Sequence, residues 1–528
     1  MKFKSLYIGA IVAASLASCT ESDFADNYTD PAKVSETTVG KQFTGMIYSF
    51  RNYVLPTYDD YFVGQRITSN RYTQAIGWVN GENQYVPGSE AINRRWRAFY
   101  ETLAQYREIE KIYEGLTEVA AADQRIYMIA AKTFLYDQAQ KEIDYHGDIP
   151  FTQAAMLSQN GGDYQSSYAP YDDAETLYTM MLDELAAMAD EMNTMTVNPG
   201  VLAEFEIQDV INDGDLMLWK KYINSVRLRM LTRVSGTSTF SARANAEIGD
   251  ILSNPATYPV VTSIQDFIAW DGYTAGTWMQ ANSFQSGLED WDGNIAGKVI
   301  IDHMLANEDP RLTYVFEPGL EAEPGQYMGL DPLLNASAQN ELVLAGTLSI
   351  YNRSTLSRNQ NFPGIIISAS EVNFLAAEYY LKTGQNAMAQ AAYETGVLNS
   401  IDQYVYLRSI SNNGDSPDPV EPTSADRDAY LAQGDVSWTA ATSAEEKLKL
   451  IAEQKWLHFN VIQPNENWAE YRRLGLVDLE FWTDQSNQQS QPPYRWVYPS
   501  SEQTYNAENY SVVQPQDNLT NALFWDVE

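Results

Sequence analysis

GDLMLWKKYINSVRLRMLTRVS, residues 214–235, is the stretch on which the reading of this chain turns. Leu216, Trp219, Ile223, Val226, Met230 and Val234 recur at steps of three or four. That period places them on one stripe of a helix of about six turns. Arg227, Arg229 and Arg233 crowd its second half, where cations complement the negative end of the helix dipole. The pattern predicts an amphipathic helix with one face packed into a core.

The surrounding chain has material for such a core. Its 528 residues suffice for two or three average domains or for one large helical array. A hydrophobic fraction of 44% with 20% charged residues is the composition of a globular protein. Seventy acidic against 34 basic residues give a net charge of −36, which repels nucleic acid and anionic membrane surfaces and argues against binding to either. Tyrosine (35) is nearly twice as common as phenylalanine (18). A ring with a polar tip suits half-wet cores and the surfaces that meet polar ligands.

Cys19 is the single cysteine, so no disulfide or thiolate metal site can form within one chain. Lys2 and Lys4 precede an apolar run, Leu6–Ala14, that is too short to span a bilayer. Leu16-Ala17-Ser18-Cys19 then looks like a lipobox, whose cysteine becomes the lipidated N-terminus. The expected organisation is a signal peptide over 1–18, a lipidated acidic tether over 19–40 and a helical domain over 41–528. No later segment is apolar enough to cross a membrane, so lipid would be the only membrane contact.

Helical periods dominate 41–235. Trp96, Phe99, Leu103, Tyr106, Ile109 and Tyr113 mark one helix, Ile126, Ile129 and Phe134 a second. Leu177, Met181, Leu185, Met188 and Met192 mark a third, with Asp172 and Asp173 as caps. Between 236 and about 370 the period fades and Gly and Pro rise, so a loop-rich section is expected. Helices resume at Glu371–Gly384, Ala387–Ile401 and from Leu448 onward.

Several short motifs follow one another in a specific order. They are His146-Gly147-Asp148-Ile149-Pro150, Tyr171-Asp172-Asp173, and Trp219-x-Lys221-Tyr222-x-Asn224-Ser225 with Leu228-Arg229 and Arg233. Asp309-Pro310-Arg311-Leu312, Tyr327-x-Gly329, Gln454-Lys455-Trp456, Trp468-x-Glu470-x-Arg472-Arg473-x-Gly475 and Tyr498-Pro499-x-x-Glu502-x-x-x-Asn506 continue the series. Together they resemble the SusD/RagB family, surface nutrient-binding lipoproteins of Gram-negative bacteria. One departure is His146, which stands where an aromatic ring is usual. The resemblance implies an all-α fold, a single helical body with tetratricopeptide-like helix pairs and an irregular, loop-rich ligand face. No clean 34-residue repeat is visible in the sequence itself. The resemblance also implies an outer-membrane, surface-exposed lipoprotein that sits as a lid over a SusC-like TonB-dependent transporter. Its ligand would be an oligosaccharide, or a peptide as in RagB-like members.

No catalytic constellation stands out. His146, His303 and His458 are far apart and lack metal-ligand or triad spacing. There is no Walker-type phosphate loop, and among 70 acidic residues a carboxylate pair identifies no glycosidase, although a surface glycan hydrolase stays open as an alternative. A scaffold without a ligand of its own is another. No cofactor is expected. In Asp209–Asp215, Ile211 breaks the calcium-loop rule, while Asp290, Asp292 and Asn294 form an oxygen cluster that lacks a terminal acidic ligand at calcium-loop spacing.

Binding remains. Sugar recognition needs flat rings against pyranose C–H groups, each contact contributing about 0.5–1 kcal/mol, together with amide or charged partners for hydroxyls. The candidates are Trp78, Asn80, Asn83 and Tyr85 in one Gly/Asn-rich stretch, and Trp270, Tyr273, Trp278, Asn282 and Trp291 in another. Trp219, Trp456 and Trp468 fall on helical patterns and are read as packing residues.

Overall fold

In the computed structural model, which describes residues 37–271, 283–485 and 489–527, the 214–235 stretch forms a helix over Leu216–Val234. The Asp215 carboxylate starts it by accepting from the amides of Met217 and Leu218, at 2.7 and 3.1 Å. Gly214, at φ +77°, turns the chain so tightly that a side chain would strike Glu206. Trp219 is buried and its indole N–H donates to Asp209 Oδ2 at 2.6 Å.

One expectation fails here. Every residue from Tyr222 to Val234 is buried, so the helix is enclosed on all sides there rather than amphipathic, and only its N-terminal turns, with Met217 exposed, keep an open face. Its arginines serve carboxylates of other elements more than its own dipole.

The helices of ten residues or more are numbered in order. They begin with α1 (Val39–Ser49), α2 (Ser89–Glu114), α3 (Arg125–His146), α4 (Ala174–Thr194), α5 (Pro199–Gln208) and α6 (Leu216–Val234). Then come α7 (Ser241–Ser253), α8 (Ala336–Ala345), α9 (Ala369–Lys382), α10 (Asn386–Ser409), α11 (Ala444–Phe459) and α12 (Pro464–Leu474). The three helices read from the first half are α2, α3 and α4, and Asp173 caps α4 by accepting from Thr176 N at 2.8 Å. The section over 236–370 is less bare than its composition suggests. It holds α7, α8 and four short strands, β1 (Ile268–Trp270), β2 (Phe316–Glu317), β3 (Ile350–Tyr351) and β4 (Gly364–Ile367). β1 pairs antiparallel with β4, and β2 with β3. Two or three paired residues per strand are too few to leave an alternating pattern.

Helices α9 and α10 pack along their length as a pair. Gly396 permits this, because a Cβ there would lie 2.6 Å from the Phe374 ring. The largest apolar cluster joins α1 to α7 with β1 and β4, and includes Phe43, Phe134, Trp219 and Met230. Another gathers Ile300, Phe316, Tyr351, Tyr404 and Trp456. Trp456 and Trp468 are both buried, as expected of packing residues.

A buried ionic chain links these elements. Arg229 reaches Asp137 on α3 (2.6 Å), Glu371 on α9 and the Ile366 carbonyl (2.9 Å). Arg233 pairs with Glu466 (2.5 Å) and Glu470 on α12. Glu470 also meets Lys455 (2.7 Å) and Arg473 (2.6 Å), and both cations continue to Glu378 at 2.9 and 2.6 Å. Burial alone would raise Glu470, but Arg473, Lys455 and Arg233 outweigh it and hold the carboxyl below its usual range. Motif residues scattered from 229 to 473 thus meet in one core network.

Candidate ligand-binding cleft

The floor of the cleft is made of four backbone segments that are separated in the sequence, around 76, 296, 330 and 350. Ile76 bridges Ala296, Gly297 bridges Leu330 and Ile295 bridges Ile350. Gly77 N donates to Ile295 O at 2.8 Å, and Leu330 N to Ala296 O at 2.9 Å. Such close approach requires glycine: a Cβ at Gly297 would lie 2.2 Å from the Gln74 carbonyl oxygen.

On this floor stands a pocket of about 210 Å³ lined by Arg66, Arg71, Trp78, Trp291, Asp292 and Asn340, among others. Trp78 is half-buried, and its indole N–H donates to Gln84 Oε1 at 2.9 Å, which fixes the ring. The Arg71 guanidinium lies 5.0 Å from the Trp78 ring centre and donates to Gln84 O at 2.9 Å. Its Nε is buried without a hydrogen-bond partner, and no carboxylate among the described residues pairs with it. Burial pushes the Arg71 pKa down to about 10, the mark of a cation short of counter-charge.

Trp291 is 81% exposed on the other side. Trp291 and Asp292 both occupy the left-handed region, at φ +58° and +56°, a conformation that costs energy for side chains of this size. Arg66 Nη2 holds the turn by donating to Trp291 O at 2.9 Å. The result is two indoles and two guanidiniums around one concavity, able to stack on a ring and donate hydrogen bonds to oxygen.

Of the residues singled out from sequence, the fold brings Trp78 and Trp291 together. Asn80 serves the scaffold: its side-chain amide donates to Pro332 O and Leu334 O at 2.7 and 2.9 Å, and its backbone N–H donates to Gln339 Oε1 on α8. Asn83 is exposed in a turn at φ +61°. Tyr85 corrects its expectation, being 0% exposed with its hydroxyl donating to Trp482 O at 2.7 Å. Trp270 is 1% exposed in β1, packed edge-on to Tyr48, and so is also a packing residue. Cys19, Tyr273, Trp278 and Asn282 lie outside the described residues.

Arg66, Arg71 and Asn340 are the lining residues that sequence reasoning missed. Arg66 and Arg71 fall in 66-RITSNRY-72, which carries no sugar-site signature, and Asn340 sits within the helix ASAQNELVLA, where it has no aromatic neighbour in the sequence.

His146 and His458 are buried and His303 is part-buried. His458 Nε2 is 2.7 Å from Ser368 Oγ and its Nδ1 3.0 Å from Ser400 Oγ, yet all three residues are sealed in the core. Burial and the nearby Arg311 push His458 down to about 3, so it is neutral at pH 7. Asp290 and Asp292 are exposed beside the Arg66 cation, and the Asn294 carbonyl accepts from Tyr351 N at 2.8 Å. Among the described residues no group of three or more His, Cys, Asp or Glu side chains is placed to hold a metal. No described helix is long and apolar enough to cross a membrane.

Comparison with known proteins follows the same lines. A family model described as SusD-like, starch-binding and associating with the outer membrane, matches residues 31–499. No curated protein matches the sequence. Among solved structures, a chitin-binding SusD homologue from Flavobacterium johnsoniae is similar at 20% identity and TM-score 0.70, covering 92% of this chain and 99% of its own. A SusD homologue from Bacteroides fragilis is similar at 20% identity and TM-score 0.68, with 93% and 99% covered. Another from Bacteroides thetaiotaomicron has 20% identity and TM-score 0.65, with 93% and 100% covered. At such identity the likeness is one of fold.

Proposed function

The chain belongs to the SusD-like family, and on that premise we propose that it is a cell-surface glycan-binding lipoprotein. It captures oligosaccharides in the Trp78–Trp291 cleft and delivers them to a SusC-like TonB-dependent transporter. The observation that carries this reading is the cleft itself: a fixed indole, an exposed indole on a strained turn, and a guanidinium that no carboxylate among the described residues pairs with. Rings facing solvent offer the C–H stacking that pyranoses need, and unengaged donors suit their hydroxyls. In this reading Cys19 carries the lipid and the body stands on the outer face of the outer membrane.

Calorimetry of the full-length protein in detergent tests the reading, with a panel of chitin, starch, xylan and mannan hexasaccharides. Chitin oligosaccharides lead the panel because one similar structure is described as chitin-binding. Heat with at least one glycan, weakened about tenfold by Trp291→Ala, is expected. No heat with any of them sinks the glycan reading. Delivery has its own test: the protein should co-purify with a TonB-dependent barrel from its native membrane, and failure to do so removes the transporter from the proposal.

One observation favours a second ligand class. Arg71, short of a carboxylate, also suits the C-terminal carboxylate of a peptide. Heat with peptides and none with glycans would select that reading.

A further inference from the structure

Among the described residues few large aromatic side chains face solvent, namely Tyr58, Tyr164, Tyr168, Trp291, Tyr494 and Tyr505. Trp291 belongs to the cleft above. Two of the others, Tyr168 at 49% and Tyr505 at 70% exposure, stand on one concavity of about 610 Å³. That is the size range of small-ligand sites. It lies between α2, the loop over 150–169 and the short helix Ser500–Tyr505, and shares no residue with the Trp78–Trp291 cleft.

Its construction is rigid. The Trp96 and Tyr100 rings line it with centroids 4.8 Å apart, and the Tyr100 hydroxyl is held by the Pro150 carbonyl at 2.8 Å. Tyr498 and His146 back Trp96 edge-on. The two lips are tied together: Glu502 Oε2 accepts from Tyr171 Oη at 3.0 Å and from Asn506 Nδ2 at 3.1 Å, while Asn506 Nδ2 also donates to Ala169 O at 3.0 Å. A site held open in this way loses little freedom when filled.

The polar part of the remaining wall is hydroxyls and amides with one cation, Arg97, and one carboxylate, Glu502. The side chains of Asn93, Arg97 and Ser501 have no hydrogen bond or ion pair among the described residues. An apolar occupant would leave these donors without partners. A strongly anionic one would meet Glu502, on the same wall as Arg97. Aromatic faces beside hydroxyls, amides and one side chain of each charge match a neutral, hydroxyl-rich ligand with apolar C–H faces.

We propose that this concavity is a second saccharide-binding site, taking a short run of pyranose units independently of the Trp78–Trp291 cleft. The inference rests on the glycan reading for its ligand class, and the test separates the two.

Calorimetry of the full-length protein in detergent uses chitohexaose, maltohexaose, xylohexaose and mannohexaose as probes. With the probe that binds, the expected stoichiometry is two. The double variant Tyr168→Ala/Tyr505→Ala should lose one site, with affinity there down at least about tenfold, and Trp291→Ala should weaken only the other. Both Tyr side chains are exposed, so an unchanged thermal melt checks that the fold is intact. One site in the wild type, unaffected by the tyrosine changes and weakened by Trp291→Ala, overturns the second site and leaves the glycan reading standing. No heat from any probe overturns both. Unchanged glycan binding with loss of a co-purifying barrel in the tyrosine variant also overturns the proposal, reassigning the surface to protein docking.

Discussion

The Arg71 guanidinium lies 5.0 Å from the centre of the Trp78 ring, and no carboxylate among the described residues completes its charge. Most other buried arginines of this protein are neutralised, as Arg229 is by Asp137 and Glu371 and Arg233 by Glu466 and Glu470. Arg71 is positioned by Trp78 and Gln84, yet only a backbone carbonyl accepts from its guanidinium and no carboxylate among the described residues answers its charge. Arg71→Gln should therefore weaken ligand binding by about ten- to a hundredfold, the worth of a hydrogen bond to a charged group. An unchanged dissociation constant by calorimetry would show that Arg71 does not touch the ligand.

Lys455 is the hub where α11 meets Glu378 and Glu470. Its side chain is 1% exposed, so Lys455→Met leaves two carboxylates short of a cation in a dry core. The expected cost is about 3–5 kcal/mol, read as a lower urea midpoint. A midpoint within error of the wild type would mean that water enters the network.

Burial raises Glu453 from its ordinary 4.5 to about 7, with Lys449 opposing and Asp435 and Asp478 adding to the rise. A carboxyl raised in the folded state gives stability that is fully present below pH 4.5 and lost as pH climbs to about 7. Glu453→Gln should flatten that decline. At pH 8 the variant should gain about 2–3 kcal/mol, and at pH 4 it should match the wild type. Urea midpoints at the two pH values check this, and equal slopes in both proteins refute it.

Gly297→Ala forces a methyl group into the Gln74 carbonyl, 2.2 Å away, beneath the cleft. The bridged segments must part, at about 1–3 kcal/mol. Binding should fall further than stability, because Trp78 and Trp291 are mounted on these segments. Calorimetry and thermal melts of the same sample separate the two effects, and loss of stability with full binding would refute the mounting.

The helices could be read from the chain wherever local chemistry repeats. Trp96, Phe99 and Leu103 announce α2 by spacing, and Asp173 announces the start of α4 by its cap. Trp78 and Trp291 were visible as loop aromatics amid Gly and Asn, but equally visible Tyr85 and Trp270 are buried. Nothing in a linear pattern says which ring of a loop turns inward. Arg71 gave no signal, because its meaning is the missing carboxylate, and that depends on every other element around it.

The sequence by itself determined the helical class, the principal helix positions and the family, since periodicity, caps and motif order are properties of neighbours in the chain. Only the tertiary structure decided that the 214–235 helix is enclosed on all sides from Tyr222 to Val234, that its arginines meet carboxylates from α3, α9 and α12, and that two tryptophans 213 positions apart share one pocket. The reason is physical. Burial and charge pairing depend on which distant groups exclude water from a side chain, and that is settled when the helices pack.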